Sequence, residues 1–478
     1  MIALSLVLIP VISGIVSFAF NNKKAAKGWA LLSSIATLAA AMMALYTHTA
    51  GATSFDSAWL PQLGSRFTLS LDGMGKMLVL LTGVAFPIIF AATYNNAYSK
   101  PGNFYGFMLL GEAGLMGVFL ATDALLFYFF WELALIPAYF LCSQWGGEKR
   151  IAATFKFFIY TFVGSLIMLV GLLYVYYHNP EHSFALESLY KVNLTVNEQA
   201  FLFWMFFVAF AIKMPIFPFH TWQPDAYEQS PTAVTMVLSG VMVKMGLFAV
   251  VRWLLPMFPA AVTQFQGVAI LLSVAGIVYA SLIAMQQNDI KRLIAYSSIA
   301  HIGLMSAAIF TKQSVGLEGV MVQMFNHGVN VIGLWIIADT IEQQLGTRKF
   351  SDLGGLAQKA PKMAILLVVM AFANVALPLT NAFVGEFLMF NGLFRYNIWM
   401  AVIAGISIIL AAVYTLNMVQ KVLYGNTSAI TENASDIKGG NSIMLALLSV
   451  LIIVLGVWPQ PMLDLTKATV TNILAQIQ

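Results

Sequence analysis

"FAIKMPIFPFH", residues 210–220, places a lysine and two prolines inside a long apolar run. A lysine near the centre of a membrane helix costs roughly 2.5–3.5 kcal/mol on insertion scales. Proline removes a backbone donor and clashes with the preceding turn, so Pro215 and Pro218 predict a broken helix. A chain keeps both features only where neighbouring groups compensate for them, and in membrane proteins such places are usually functional.

The composition around this stretch predicts a polytopic, all-α membrane protein. Only 9% of the 478 residues are charged, and the mean hydropathy is +0.83. A soluble protein of this length needs far more charge to cover its surface. The apolar runs are continuous rather than alternating, which excludes a β-barrel. Each is long enough to cross a hydrocarbon core of about 30 Å, and we predict about 14 spans: 2–20, 28–48, 69–94, 105–121, 124–145, 151–177, 200–219, 230–255, 262–284, 290–311, 316–341, 362–394, 397–420 and 441–459.

Other features exclude several function classes. The net charge of +4 is spread over short loops without interleaved aromatic residues, so we expect no nucleic-acid partner. Cys142 is the only cysteine, which leaves no disulfide framework or thiol cluster. The glycine-rich turn "DLGGLAQKAP" (352–361) follows a predicted helix rather than a strand, and no His, Cys and carboxylate set has metal-ligand spacing. We therefore expect no cofactor and no metal in this chain.

Loop charges predict the orientation in the lipid bilayer. If the N-terminus faces outward, most lysines and arginines fall in the inward loops. The first apolar run lacks the positive flank and cleavage site of a signal peptide, so we expect it to remain as a helix. With an even number of spans, both termini then lie on the outer side.

The chain is predicted to be one transmembrane domain, 1–478, with a weak internal duplication. A second break, at Pro378 in "VALPLTNAFVGEFLMF" (375–390), matches the one at Pro215 and Pro218. Spans 4–8 and 9–13 would form two inverted five-helix repeats, which predicts an ion pathway near the bilayer midplane. The alternative is that prolines are simply common in membrane helices. The predicted divisions are 1–100 for spans 1–3, 101–258 for repeat one, 259–424 for repeat two and 441–478 for span 14 and the C-terminus.

Ionisable residues inside the spans predict the pathway itself. Glu132 in "LLFYFFWELALIPAYFL" is expected to pair with Lys213, since burial disfavours either charge alone. The alternative is a static ion pair that only fixes packing. Four more such residues occupy later spans, and charge relays of this kind are typical of pumps and transporters. The predicted row is Glu132, Lys213, Lys244, His301, His327 and Glu386.

Weaker candidates surround this row. Glu112 in span 4 either faces the same cavity or only supports packing, and Asp123 is expected at a helix end. In the inner loop "HTWQPDAYEQSPT" (220–232), His220, Asp225 and Glu228 could form a proton uptake port. Ordinary loop polarity explains them equally well.

Four stretches carry a family resemblance: "FWELALIPAYFL" (130–141), "FAIKMPIFPFHTWQPDAYEQSPT" (210–232), "MVKMGLFAVVR" (242–252) and "NDIKRLIAYSSIAHIG" (288–303). They closely resemble the antiporter-like subunits of respiratory complex I, whose pattern covers most of the chain. That family has 14 helices, two inverted five-helix repeats, broken helices 7 and 12, and a central chain of Lys, His and Glu.

The resemblance implies a proton-translocating membrane-arm subunit of NADH:quinone oxidoreductase, driven by quinone reduction elsewhere in the complex and without a redox centre of its own. It implies a bacterial inner membrane, periplasmic termini, and antiporter-like chains L and N as neighbours. By this resemblance Glu132 and Lys213 form the coupling ion pair, and Lys244 is the central carrier. His301, His327 and Glu386 link that carrier to the outward exit.

The chain departs from the family pattern at a few places. Chains L and N, like the multi-subunit sodium/proton antiporters, typically carry Lys in helix 12, where this chain has Glu386. Gln223 and Tyr227 replace the usual Leu and His of the inner loop, and Leu379 and Ala382 replace glycines at the second break. We therefore expect that break to be shaped differently. The alternatives are a subunit of a sodium/proton antiporter, against which Glu386 argues, and an inert scaffold.

Overall fold

The computed structural model describes residues 1–47 and 50–477. Long helices dominate, and we number them by the span that each forms. They are α1 (Ile2–Ser17), α2 (Lys23–Tyr46), α3 (Gly73–Ala92), α4 (Pro101–Leu120), α5 (Ala124–Trp145), α6 (Arg150–His178), α7a (Val196–Lys213), α7b (Trp222–Gln229), α8 (Thr232–Met257), α9 (Pro259–Met285), α10 (Ile290–Phe310), α11 (Ser314–Leu345), α12a (Pro361–Asn374), α12b (Asn381–Tyr396), α13 (Ile398–Leu423), α14 (Gly439–Val457) and α15 (Gln460–Ile477).

These helices confirm the predicted all-α polytopic fold. Among the described residues, twelve helices are long and apolar enough to cross a membrane, and α1 and α12a are shorter apolar helices. Every predicted span corresponds to one helix or to one broken helix. The predicted end of the second span at residue 48, the start of the following loop at 49, and the last residue, 478, lie outside the described residues.

Helix 7 breaks where the prolines predicted it. The helix α7a ends at Lys213, and α7b begins at Trp222. The last carbonyl groups of a helix lack an intrahelical partner. Here the indole Nε1 of Trp222 donates to the carbonyl of Ile212 at 3.0 Å. The second half of the broken helix therefore satisfies the end of the first half.

Helix 12 also breaks as predicted, between Asn374 and Asn381. Two residues of the break are left-handed without being glycine: Ala376 has φ 53° and Leu379 has φ 75°. A side chain disfavours this conformation by roughly 1–2 kcal/mol. Leu379, where the family resemblance predicts glycine, thus takes a conformation typical of glycine.

Two elements of the structure are absent from the sequence prediction. Ser54–Leu60 and Ser65–Ser70 form a β-hairpin, so residues 69–72, predicted as the start of span 3, are strand and helix cap instead. The helix α15 packs against α3 and α11, where the Thr469 hydroxyl accepts a hydrogen bond from the Gly73 amide at 2.9 Å. The free amides at the start of α3 explain this contact.

Two helices at the centre of the bundle carry the core of the site. In α8 and α11 the membrane-length stretch is completely buried by other helices, whereas in α13 and α14 only 22% of it is buried. An ionisable residue on α8 or α11 is therefore shielded from lipid by protein. Lys244 lies on α8 and His327 lies on α11.

Candidate functional site

A distorted turn of α8 positions Lys244. Residues Leu238–Met242 form a π-helical turn, in which the Val243 amide donates to the Leu238 carbonyl at 3.2 Å. Such turns depart from the regular i→i−4 pattern and are frequent at functional sites. The carbonyl of Ser239, in the same turn, accepts a hydrogen bond from Lys244 Nζ at 2.8 Å. This oxygen gives the buried ammonium one of the acceptors that it needs.

Four of the predicted residues form a continuous row. Lys244 Nζ lies 2.8 Å from Nδ1 of His327. The rings of His327 and His301 follow, with centroids 5.6 Å apart. Nδ1 of His301 then lies 3.0 Å from Oε1 of Glu386. The order in space is therefore Lys244, His327, His301, Glu386, with the two histidines exchanged relative to their order in the chain.

Glu132 and Lys213 do not form the expected direct ion pair. Among the described residues no ion pair within 4.0 Å joins them, and Lys213 Nζ has no hydrogen-bond partner. Nζ lies instead 5.3 Å from the ring centroid of Trp131, a cation–π distance. Neighbouring residues of a helix point about 100° apart, so Trp131 faces the lysine while the Glu132 carboxylate turns aside. The two charges are still close enough to interact electrostatically.

The end of α7a packs directly against α8. A Cβ atom added to Gly246 would lie 2.7 Å from Cβ of Met214 and 2.9 Å from the Phe210 carbonyl. Glycine is required for this close approach. The contact lies one residue past Lys213 on one helix and two residues past Lys244 on the other. It couples the two lysine-bearing segments mechanically.

The inner-loop candidates belong to a network of ion pairs that holds α7b. Asp225 contacts Lys156 at 2.8 Å, while Glu228 contacts Arg292 at 2.8 Å and Arg348 at 2.7 Å. Arg348 extends this network to Asp289 and Glu342. Sequence reasoning treated these cations only as orientation signals, because their partners are remote in the chain. A proton uptake role for Asp225 and Glu228 stays a prediction.

His220 lies in the break between α7a and α7b, against the rings of Phe217 and Tyr279. It is buried, and its Nδ1 has no hydrogen-bond partner among the described residues. His220 therefore packs against aromatic rings at the break in helix 7.

The two remaining candidates lie apart from the row. Asp123 caps α5, accepting from the amides of Leu125 and Leu126 and from the hydroxyl of Ser65 in the β-hairpin. Glu112 is completely buried in α4 beside Thr37 of α2, and neither carboxyl oxygen has a hydrogen-bond partner among the described residues. Asp123 is thus a structural residue, whereas Glu112 faces α2.

The enclosed row of Lys, His and Glu and the two broken helices define the class of protein. The family described as the transmembrane region of NADH:quinone oxidoreductase and Mrp antiporter subunits matches residues 121–411, and this chain belongs to that family. Within it the chain is similar to NADH-quinone oxidoreductase subunit M of Rickettsia prowazekii (strain Madrid E), with 36% identity over 98% of this chain and 97% of that protein. Subunit M of Escherichia coli (strain K12) is also 36% identical, over 88% of this chain and 85% of that protein.

Solved structures agree. A chain of respiratory complex I from Thermus thermophilus with bound NADH matches with a TM-score of 0.91 and 30% identity, over 99% of this chain and 100% of that one. A chain of the Mrp complex from Dietzia sp. DQ12-45-1b matches with a TM-score of 0.87 but 20% identity over 99% of this chain and 97% of that one, which shows the fold alone. The sequence-based resemblance is confirmed, including the branch of the family expected from Glu386.

Proposed function

We propose that this chain is a proton-translocating membrane-arm subunit of a bacterial NADH:quinone oxidoreductase. The observation that carries the proposal is the row Lys244, His327, His301 and Glu386, in which successive groups touch or nearly touch. Its first two members lie on helices whose membrane-length stretches are completely buried by other helices. Each side chain can hold a proton, and each has the next within reach of direct transfer or of transfer through one water molecule.

Proton transfer along the row follows from the chemistry of these groups. A protonated Lys244 donates to Nδ1 of a neutral His327 at 2.8 Å. After the proton moves, His327 is an imidazolium and Lys244 is a neutral amine. The imidazolium then gives a proton to His301, which passes one to the Glu386 carboxylate 3.0 Å away. The net result is one proton moved from α8 to α12b. The two histidines are neutral again, and Lys244 remains a neutral amine until it takes up the next proton.

Glu132 and Lys213 supply the control of this transfer. Their charges are close without a direct ion pair, so a modest movement of either helix changes their interaction strongly. The packing of α7a on α8 at Gly246 would carry such a movement to Lys244. We infer that quinone reduction elsewhere in the complex drives this change, because the relatives are named as subunits of an NADH-quinone oxidoreductase. His220, Asp225 and Glu228 are the candidates for uptake from the inner side.

The proposed setting follows from the relatives and the loop charges. Proteins named as subunit M of NADH-quinone oxidoreductase match nearly the whole chain. We propose antiporter-like chains L and N as its neighbours, in a bacterial inner membrane, with both termini on the periplasmic side. No cofactor is assigned to this chain.

The test is pumping by the assembled complex in vesicles with substitutions at Glu386. Glu386→Ala removes the last titrating group of the row and is expected to cut pumping strongly. Glu386→Asp keeps a carboxyl group and should be mild, and Glu386→Lys should retain part of the function because a proton carrier remains. Normal pumping by an assembled alanine variant would show that protons do not pass this residue.

A further inference from the structure

A small cavity lies beside the last two members of the row. It sits between α9, α10, α13 and the break in helix 12, and has a volume of about 20 Å³. His301 and Glu386 face it from one side, and Ser281, Ser407 and Tyr414 complete its polar lining. A cavity needs roughly 10–15 Å³ to hold one water molecule. This one has room for a single water.

The polar atoms around the cavity need such a partner. Among the described residues, His301 Nε2, Glu386 Oε1 and Ser281 Oγ are buried without a hydrogen bond. Oε1 of Glu386 lies 3.0 Å from Nδ1 of His301, but that contact is not aligned as a hydrogen bond. Nearly all buried polar groups in proteins are hydrogen-bonded, to ordered water where no protein group serves. The lining therefore favours one water held by two or three of these groups.

Tyr414 lines this cavity, and its hydroxyl proton already forms a hydrogen bond outside it. The hydroxyl is buried and donates to Oγ of Ser297 at 3.0 Å. Ser297 donates to Oδ1 of Asn374 at 3.3 Å, and Nδ2 of Asn374 donates to Oγ1 of Thr415 at 3.0 Å. A tyrosine hydroxyl has one proton and can also accept. Because the proton points to Ser297, the hydroxyl presents only its lone pairs to the cavity.

We propose that Tyr414 is a positioning residue for Glu386. Its hydroxyl accepts a hydrogen bond from the protonated carboxyl group and donates one to the ionised carboxylate. When Glu386 is protonated, it donates to Tyr414 directly or through the cavity water, and Tyr414 keeps its bond to Ser297. When Glu386 is ionised, the hydroxyl turns to donate toward the carboxylate, and the bond to Ser297 breaks. The only covalent change is the O–H bond of Glu386, which forms when the proton arrives from His301 and breaks when the proton leaves. At Tyr414 one hydrogen bond is exchanged for another.

This reversal reaches the break in helix 12. Asn374 is the last residue of α12a, and its side chain bridges Ser297 on α10 and Thr415 on α13. Losing the Tyr414 bond leaves Ser297 free to rearrange around Asn374. A change in the protonation of Glu386 therefore changes the hydrogen bonds of Asn374 at the end of α12a. This inference rests on the proposed function, since it assigns Tyr414 a role in the same proton row.

The test is infrared difference spectroscopy of the assembled complex, with pumping measured in parallel. Glu386→Gln first identifies the carboxyl C=O band of Glu386 by removing it. Tyr414→Phe keeps the ring but deletes the acceptor, so the band should move to higher frequency and pumping should fall about two- to tenfold, as expected for one hydrogen bond. Ser297→Ala instead frees the Tyr414 proton to donate to the carboxylate, so the band should weaken.

Tyr105→Phe is the matched control. Tyr105 is equally buried in α4 and its hydroxyl has no hydrogen-bond partner among the described residues, so the same change there should leave the band and pumping unaltered. An unchanged Glu386 band in Tyr414→Phe, with pumping lost in Glu386→Gln, overturns the role of Tyr414 alone. Normal pumping by Glu386→Gln overturns the proposed function together with this inference.

Discussion

His327 links Lys244 to His301, and replacing it divides the row at a defined place. In His327→Leu, Lys244 keeps the Ser239 carbonyl but loses an acceptor at 2.8 Å. A hydrogen bond involving a charged group contributes roughly 1.5–3 kcal/mol. If that stabilisation is lost from the transfer step, then at 1.36 kcal/mol per tenfold transfer slows by roughly 10- to 150-fold. The next proton carrier is His301, whose ring centroid lies 5.6 Å from that of His327. Without His327, the row has no proton carrier between Lys244 and His301.

A second substitution separates transfer from packing. In His327→Asn the amide oxygen can take the place of Nδ1 and accept from Lys244, but an amide cannot carry a proton. We expect both variants to assemble and both to lose pumping, while NADH oxidation in uncoupled membranes persists. The assay is the number of protons moved per NADH in sealed vesicles. An asparagine variant with the normal ratio would reduce His327 to a hydrogen-bond acceptor and refute the relay.

Three further predictions concern stability. Gly246→Ala should lower the melting temperature of the complex, because overpacking costs about 1–3 kcal/mol of stability. Gly405→Ala is the control and should leave the melting temperature unchanged, since nothing lies within 4 Å of the added Cβ atom. Equal effects of the two substitutions would contradict the close approach at Gly246. Arg348→Gln should weaken the inner ion-pair network by about 1.5–3 kcal/mol and expose the loop after α11 to protease, and unchanged cleavage would count against it. The hydrogen bond from Arg66 lowers the pKa of Asp56, so the ionised pair stabilises the hairpin above the ordinary aspartate pKa, and this stabilisation is lost as the pH falls through the lowered value. Amide exchange over 54–70 should therefore become faster as the pH falls through that range, after correction for the intrinsic exchange rate. Asp56→Asn should abolish this pH dependence.

Hydropathy and the positions of proline determined most of what could be predicted. Apolar runs of membrane length leave the backbone no alternative to helix, so the spans followed directly. Pro215 and Pro378 marked both breaks because proline cannot continue the hydrogen-bond pattern. Lys244 and His327 were identified because burying an ionisable side chain in a membrane helix is costly unless another group pairs with it.

What the sequence left open depends on rotation and on remote contacts. Glu132 was assigned to Lys213 by depth, but the rotation of α5 places Trp131 against the lysine. The spatial order of His301 and His327 depends on how α10 packs against α11, which no local pattern encodes. The β-hairpin escaped prediction because one of its strands runs into the apolar start of α3, and α15 because it follows the last span as an amphipathic segment.

The break in helix 12 takes a left-handed backbone conformation at a position that has no glycine. Leu379 holds a left-handed backbone that its own side chain disfavours, and its carbonyl lies so close to Gly456 of α14 that a Cβ atom there would be 2.2 Å away. Close packing against α14 thus holds the backbone of the break in this conformation. A side chain at position 456 would collide with the backbone of the break, so the close approach requires glycine there. Substitutions that impair the break should therefore be sought on α14, far along the chain from the residues whose shape they would disturb.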